Sequence, residues 1–498
     1  MTGGDLRQVY EMTELETGGS EPVSSDKSAK SSTIADKLVS LGKAAELFHS
    51  EDGSAFASVP VNSHKETWPL GTKGFRQWLG RQYWRKYGKV PGSQSVQDAL
   101  GVLAAMAIFD GPEHSVFIRV AGTNDAVYID LGSDTWEAVK IAAEGWQVMP
   151  EPPVKFRRAK GMKPLPYPER GGSIDELRPF VNIRDEVDFV LYVEFLVGAL
   201  NPAGPYPVLV LNGEQGSAKS TAERLARECI DPYSPIFRST PKDDHNVAIG
   251  AKNNWLLAFD NLSRIPAWFS DAVCRLSTGS GYATRTLYAN DEETTFEAAR
   301  PVLLNGIGDL ATRGDLLSRS LVITMPPISE DRRKSEADFF ANFDRARPRI
   351  LGALYDAVSA ALRNRDHVKA TLPPLPRMAD SAVWVTAAEE AFGWPEHTFL
   401  DAYQHNRKQA NELALEASPL TPFIRKLAQD KWQGMPSELL IKLNEIAPDS
   451  LKRLRAWPKS TKALTNELDR LAPDLRATGI NAERGRDMNG RYWTIGRL

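Results

Sequence analysis

The sequence predicts an α/β chain of about three units: an α+β N-terminal domain, an α/β core and a small basic C-terminal domain. Three observations predict it. At 498 residues the chain is long enough for about three domains of ~150 residues each. Apolar strand-like runs recur between residues 205 and 325, each followed by loop or helical sequence, the pattern of a parallel sheet. One of these runs, Val208-Leu-Val-Leu-Asn, enters a glycine-bearing loop, and Lys219-Ser220-Thr221 then opens an amphipathic stretch.

From the N-terminus, residues 1–34 are rich in Gly, Ser, Thr, Glu and Lys and read as a disordered tail. A folded unit over 35–150 begins with a helix from Ala35 to Phe48 and a short hairpin. A helical middle covers 72–110, and two alternating runs, His114–Ala121 and Ala126–Leu131, read as paired strands. Between Lys65 and Lys89 stand seven basic residues and one acid, with Trp68, Phe75, Trp78, Tyr83, Trp84 and Tyr87 interleaved. Cations for phosphates and aromatic faces for bases suit a single-strand binder. Phe75, Trp78 and Leu79 also fall at helical spacing, which suits a core face with a solvated basic face opposite. The unit is either a DNA-binding domain or an oligomerisation collar. Residues 151–172 carry Pro152, Pro153, Pro164, Pro166, Pro168, Gly171 and Gly172, the composition of a Pro/Gly-rich basic linker.

The core is expected over 173–365. Its loop, Gly213-Glu214-Gln215-Gly216-Ser217-Ala218, followed by Lys219, Ser220 and Thr221, has the residues to cradle a triphosphate. Backbone N–H groups take phosphate oxygens, Lys219 reaches the terminal phosphates and the Ser220 hydroxyl holds Mg²⁺. The cofactors expected are therefore ATP and Mg²⁺. The common pattern has Gly before the lysine. Ala218 stands there instead, the smallest departure. Next, Asn254-Trp-Leu-Leu-Ala-Phe259-Asp260-Asn261 is an apolar strand ending in an acid, 41 residues after Lys219. An Asp there can hold the Mg²⁺ shell as a second metal-site residue, or simply start a turn. Arg300-Pro-Val-Leu-Leu-Asn305 is another strand, ending in an amide that can orient water or touch the γ-phosphate. Asp315-Leu-Leu-Ser-Arg319 puts an arginine before a fourth strand. It can reach a neighbouring subunit's γ-phosphate or be a solvated helix-end residue. Residues 366–417 read as a helical connection.

The last unit, 418–498, reads as three helices and a Gly/Arg-rich hairpin, near Pro419–Trp432, Ser437–Ile446 and Lys459–Leu471, then Leu475–Ala482 and Arg491–Ile495. This order resembles a winged-helix domain. From 451 to 498 there are 11 basic and 5 acidic residues. Lys459 and Lys462 on the third helix and Arg484 and Arg486 on the hairpin are its candidate DNA contacts. A protein-interaction module is the other reading.

Taken in order, the loop, Asp260, Asn305 and Arg319 resemble the superfamily 3 helicases of viruses and mobile elements, most of all the ATPase half of poxvirus- and phage-type primase-helicases, an AAA+-like P-loop NTPase fold. The resemblance covers roughly 205–325. It includes Leu276–Tyr288, where a glycine-rich turn, an arginine and an aromatic lead into a hairpin. The whole chain also resembles ATP-binding proteins of actinobacterial phages and integrated elements. The resemblance implies a homo-oligomer, a hexameric ring on single-stranded or forked DNA, working with other replication proteins. Lys219, Ser220 and Asp260 would come from one subunit and Arg319 from the next. Two departures stand out. The family pairs acids where this chain has Asp260 and Asn261, leaving Glu214, Asp271 or Asp260 itself to activate water. The hairpin tip, Ala289–Glu293, is acidic, so Arg285 and Arg300 on its flanks are the candidate channel residues, with Arg313 a second candidate for the finger or for DNA.

These readings leave an ATP-dependent DNA helicase or translocase of a phage or mobile element, an ATP-switch initiator or loader without unwinding, or a P-loop small-molecule kinase. A net charge of −3 excludes DNA affinity spread over the whole surface. Two cysteines, Cys229 and Cys274, suit a reducing cytoplasm. The histidines show no metal-ligand spacing. The apolar run Phe189–Leu200 is short and contains Glu194, so it is expected as a buried helix, with no membrane partner.

Overall fold

The structure is a computed structural model. It describes residues 32–280, 282–285, 293–296, 299–307, 310, 313–332, 335–372, 377–416, 418–487 and 490–498, with the side chains of 282–285, 293–296, 332 and 487 left aside. Residues 1–31 of the expected tail and 289–292 of the acidic hairpin tip lie outside the described residues, as does the Arg285 side chain.

Helix α1 (Ile34–Gly42) opens on a capping box, the Thr33 hydroxyl accepting from Asp36 N while the Asp36 carboxylate accepts from Thr33 N. It is shorter than the helix expected to Phe48. Residues Glu46–His49 form β1 instead, which pairs with β2 (Ala55–Val61), and β2 pairs with β3 (His64–Pro69). Helices α2 (Lys73–Tyr87) and α3 (Ser93–Phe109) pack with this meander. Phe75, Trp78, Leu79 and Tyr83 join Leu38, Val59, Leu100 and Leu103 in one core. Arg76, Arg81, Arg85, Lys86 and Lys89 face outward. The aromatics of α2 are thus mostly core, as helical spacing demands, with Trp84 exposed.

The unit expected over 35–150 divides at this point. After β4 (Val116–Phe117) comes a four-stranded antiparallel sheet, β5 (Val120–Gly122), β6 (Ala126–Asp130), β7 (Ala138–Ala142) and β8 (Gly145–Met149). Its Val120, Val127, Ile129, Val139, Ile141 and Trp146 are buried with the central helices, not with the α1–α3 core. Arg119, at φ 59, breaks the strand expected through His114–Ala121. Residues 151–172 are not a free linker. β9 (Lys155–Phe156) pairs with β4, Arg158 pairs with Asp130 at 2.6 Å, and Met162 bridges Tyr233. Gly172 lies so close to the Arg349 main chain that an added Cβ would meet its carbonyl oxygen at 2.0 Å. Gly161 and Gly172 of this strap thus serve close packing, against Tyr233–Ser234 and against Arg349.

A 3-10 turn (Ile174–Phe180) leads to α4 (Glu186–Gly198), buried from Phe189 to Gly198. The centre is then built from β10 (Val208–Asn212), α5 (Lys219–Ile230), α6 (Asp244–Asn253), β11 (Leu257–Leu262), α7 (Ala267–Thr278), the hairpin β12 (Tyr282–Arg285) and β13 (Glu293–Phe296), β14 (Val302–Gly306), α8 (Gly314–Leu317) and β15 (Ser320–Thr324). Strands β11, β14, β10 and β15 lie in that order, all parallel. Arg238 makes one further parallel bridge to Phe259 on the outer side of β11. β10 and β14 are buried along their whole length, as strands covered on both faces must be. Helices α9 (Glu336–Thr371), α10 (Ala379–Phe392) and α11 (Thr398–Glu416) follow a second 3-10 turn (Glu330–Arg332). The stretch expected as a helical connection is helical, but it buries Trp384, Val385, Phe399 and Tyr403 in the central core.

The tail contains α12 (Thr421–Gln429), β16 (Trp432–Gly434), α13 (Pro436–Ile446), α14 (Asp449–Lys452), α15 (Thr461–Ala477), β17 (Ile480–Asp487) and β18 (Gly490–Arg497). Its sheet order is β16-β18-β17, and its own core includes Leu439, Leu464, Leu468 and Trp493. Among the described residues no helix is long and apolar enough to cross a membrane.

Candidate functional site

In an open α/β sheet, ligands bind beyond the carboxyl ends of the strands. Register places the predicted residues at that edge. Leu211 is level with Asn305 across β10 and β14, and Phe259 with Leu304 across β11 and β14. Asp260, Asn305 and the 213–218 loop are therefore neighbours at one end of the sheet.

The loop needs its glycines. Gly213 has φ 150 and Gly216 φ 81. A Cβ on Gly213 would come within 2.5 Å of the Met325 carbonyl and 2.8 Å of Ser217 Oγ. Ala218, before the lysine, sits at φ 62 and ψ 30, the left-handed region where a glycine is ordinarily found. Lys219 Nζ donates to the carbonyls of Gly213 and Glu214, both at 2.7 Å, and to Ser217 Oγ at 3.1 Å. Burial lowers its pKa while the Asp260 charge opposes that shift. Glu214, Gln215, Gly216 and Ser220 are exposed, Thr221 half-buried. The loop is held from behind by Asn182, whose Nδ2 donates to Ser217 O at 3.1 Å and Pro326 O at 2.6 Å. The sequence reading had no signal for Asn182, which lies outside every motif.

Ser220 Oγ donates to Asp260 Oδ1 at 2.8 Å. This bond spans 40 residues and joins the first turn of α5 to the end of β11. Asn261, the neighbour of Asp260, is exposed at φ 58. A bulge between Phe259 and Leu262 turns it away from the strand's regular alternation. Asn305 Oδ1 accepts from Asn261 N at 3.3 Å, and Asn305 Nδ2 donates to Glu223 Oε2. Glu223 is fully buried. Burial first, and then the Asp260 charge, push its carboxyl well above the usual range. Four residues after Lys219, it was legible only as one more charged residue on an amphipathic helix.

The remaining predicted residues sit elsewhere. Arg319 precedes β15 at the opposite end of the sheet, level with Val208 N, roughly 13 Å of strand from the loop. Its guanidinium pairs with Asp315, which Arg377 also reaches at 3.1 Å. Arg313 pairs with Asp271 at 3.2 Å. Glu214 lies in the loop itself. Arg300 differs from the expectation of a channel-facing side chain. It donates to the Ala251, Asn254 and Ala299 carbonyls, and burial brings its pKa down to about 10. Carbonyls at the end of α6 lack partners within the helix, and Arg300 supplies them. Backbone placement puts Arg285 at the end of β12.

In the tail, Lys462 and Arg486 are exposed. Lys459 donates to Lys452 O, and Arg484 pairs with Asp469 while stacking over Trp493 at 5.3 Å. Lys462, Arg484 and Arg491 line a cavity of about 420 Å³ between α13, α15 and the β17–β18 hairpin. Two groups of predicted residues thus come together, one at the sheet edge and one in the tail, while Arg319, Arg313 and Arg300 lie apart from both.

Comparison with known proteins bears on both groups. No curated protein matches the chain. Among solved structures, the C-terminal region of NrS-1 in an apo A form is similar at 11% identity over 93% of this chain and 98% of that one, with a TM-score of 0.39. A JCV helicase bound to an acetamide compound is similar at 12% identity over 45% of this chain and 65% of that one, with a TM-score of 0.27. Likeness this slight carries no argument. Two family matches are firmer. Residues 174–411, which hold the sheet edge, match the actinomycete integrative conjugative element replication protein, and residues 417–498 match the C-terminal domain of the RepA of these elements. From residue 174 onward, in core and tail alike, the chain is similar to the replication proteins of actinomycete integrative conjugative elements.

Proposed function

We propose that the chain is a P-loop ATPase that acts as a helicase or translocase on DNA during replication of a mobile element. One observation carries the reading: Ser220 Oγ bonds Asp260 Oδ1 at 2.8 Å, beside a lysine folded over a glycine-bearing loop. A hydroxyl and a carboxylate so joined, at the carboxyl edge of a parallel sheet, are the donor set for Mg²⁺ with a triphosphate. The residues fit ATP and Mg²⁺. Gly213 leaves the close approach that a Cβ would fill. Mg²⁺ supplies charge neutralisation on the phosphate oxygens. Loop N–H groups and Lys219 would bind the phosphates, Ser220 and Asp260 would hold the metal, and Asn305 would orient polar groups at the strand ends.

The strand order β11-β14-β10-β15, with Arg238 bridging beyond β11, supports an AAA+-type core of the superfamily 3 kind. Arg319 lies too far from its own loop, which supports a site shared between subunits of a homo-oligomer. The sheet order β16-β18-β17, with the β17–β18 hairpin following α15, supports a winged-helix tail, with exposed Lys462 and Arg486 placed to meet DNA phosphates. A second reading is an ATP switch without unwinding. Asn261 favours it, since an amide cannot act as a base, and so does the Arg319–Asp315 pair.

The test is ATP hydrolysis with and without single-stranded DNA, beside Lys219→Ala and Arg319→Ala. A motor shows DNA-stimulated turnover that both substitutions abolish. Binding without turnover leaves the switch. Turnover indifferent to DNA and to Arg319 removes the motor.

A further inference from the structure

The hydrogen bonds at the sheet edge close into a ring. Ser220 on α5 bonds Asp260 at the end of β11. The next peptide, Asn261 N–H, donates to Asn305 at the end of β14, and Asn305 donates back to Glu223 on α5. Ser220 and Glu223 are three residues apart, so they lie on one helix face. The helix that follows the loop is thereby tied to two strand ends through four side chains and one peptide. α5 cannot shift against β11 or β14 without breaking a member.

Glu223 is the unexpected member. A carboxylic acid with no exposed surface and one oxygen, Oε1, without a hydrogen-bond partner is an expensive choice for a core position. A leucine there would fill similar space without a polar atom. What the acid provides and a leucine cannot is an acceptor for Asn305 Nδ2. That contact fixes the amide's orientation. With Nδ2 turned to Glu223, Oδ1 faces Asn261, and the peptide that carries the metal-site Asp260 is held in its left-handed bulge.

We infer that Glu223 is a positioning residue for ATP hydrolysis: it sets the Asn305 amide and, through Asn261, the aim of Asp260, so that turnover depends on it and triphosphate binding does not. The inference rests on the ATPase reading above. Asn261 contributes its N–H to the ring, which leaves its side chain exposed and outside it.

The experiment measures binding of a fluorescent ATP analogue, steady-state turnover and thermal unfolding of the full chain. It compares Glu223→Leu, Glu223→Gln, Asn305→Ala and the Glu223→Leu/Asn305→Ala double variant. Glu223→Leu should unfold at or above the wild-type temperature, lower kcat by 10-fold or more and leave KM within about threefold. Glu223→Gln keeps an acceptor oxygen and should restore most of the turnover, which separates positioning from proton abstraction. The double variant should be no slower than the slower single variant, because both remove one link. Wild-type kcat in Glu223→Leu, multiplicative losses in the double variant, or a Glu223→Gln as inactive as Glu223→Leu each overturn the inference. If Glu223→Leu fails to fold, Asn305→Ala and Glu223→Gln still decide it: Asn305→Ala must lose kcat at unchanged KM, and Glu223→Gln must not. A wild-type chain that binds no analogue overturns the ATPase reading itself, a separate failure.

Discussion

Two buried polar regions of this chain are built on opposite rules. At the seam between the β5–β8 sheet and the core, Arg119 is fully buried and almost completely satisfied. It donates to Asp231 at 3.1 Å, to Asp130 O at 2.7 Å and to Lys163 O at 2.6 Å. Asp231 in turn accepts from Trp255 N at 3.0 Å and Leu256 N at 3.3 Å, just before the strand that carries Asp260. At the sheet edge the accounting is left open. Glu223 Oε1 and Asn212 Oδ1 lack partners, whereas left-handed backbone occurs in both regions, at Arg119 as at Ala218 and Asn261. A satisfied network fixes one arrangement. An unsatisfied one keeps groups ready for something else, and buried polar atoms without partners call for such an explanation.

The largest expected effect tests the seam. Arg119→Met leaves the Asp231 carboxylate buried without its charge partner. It should lower unfolding free energy by about 3–5 kcal/mol. Arg319→Met removes a pair whose Asp315 side chain is 51% exposed, and should change it by less than about 1 kcal/mol. Chemical denaturation of the two variants reads the difference. Equal losses would erase the distinction between a structural arginine and one held in reserve.

A second effect comes from acids that burial makes harder to ionise. Both Glu194 carboxylate oxygens on α4 lack hydrogen bonds, and burial pushes this carboxyl well above its usual range. Asp188, on the same helix, is pushed up to about 7 by burial and then by Asp185. A carboxyl with a raised folded-state pKa holds its proton more tightly folded than unfolded. Stability is therefore full below the unfolded values of 3.8 for Asp188 and 4.5 for Glu194. It declines as pH rises, for Asp188 across the interval up to about 7 and for Glu194 further. Thermal unfolding across this range should show the decline. Asp188→Asn should remove the part below about 7, and Glu194→Leu should raise the melting temperature most at the alkaline end. A flat wild-type profile would contradict both assignments.

What the sequence disclosed follows the same division. The loop, Asp260 and Asn305 were legible because each sits at the end of an apolar run with its own local signature, and parallel register then brings such ends together. Phe75, Trp78 and Leu79 were legible as core from their spacing. The seam was not. Arg119 stands in an alternating run that reads as continuous strand, and its partner is 112 residues away. Prolines and glycines of 151–172 look the same in a loose tether and in a strap packed on two surfaces, because composition records flexibility of the free chain and not close approach. Glu223 was hidden for a related reason: helical periodicity marks it as one polar residue among several, and only the fold shows which strand end it meets.

The smallest effect probes the edge directly. Ala218 occupies φ 62, where its Cβ crowds the following carbonyl, and glycine would relieve that crowding while adding freedom to the unfolded chain. Ala218→Gly should therefore stabilise the chain by roughly 1 kcal/mol or less. The more telling reading is binding of the ATP analogue. If the strain is incidental, affinity stays within about twofold and the melting temperature rises slightly. If Ala218 stiffens the turn so that Lys219 and Ser220 keep their aim, the stabilised variant binds more weakly, because a glycine lets the loop wander between conformations. Weaker binding in a more stable protein would place Ala218 with Glu223, as a residue the edge keeps at the expense of the fold.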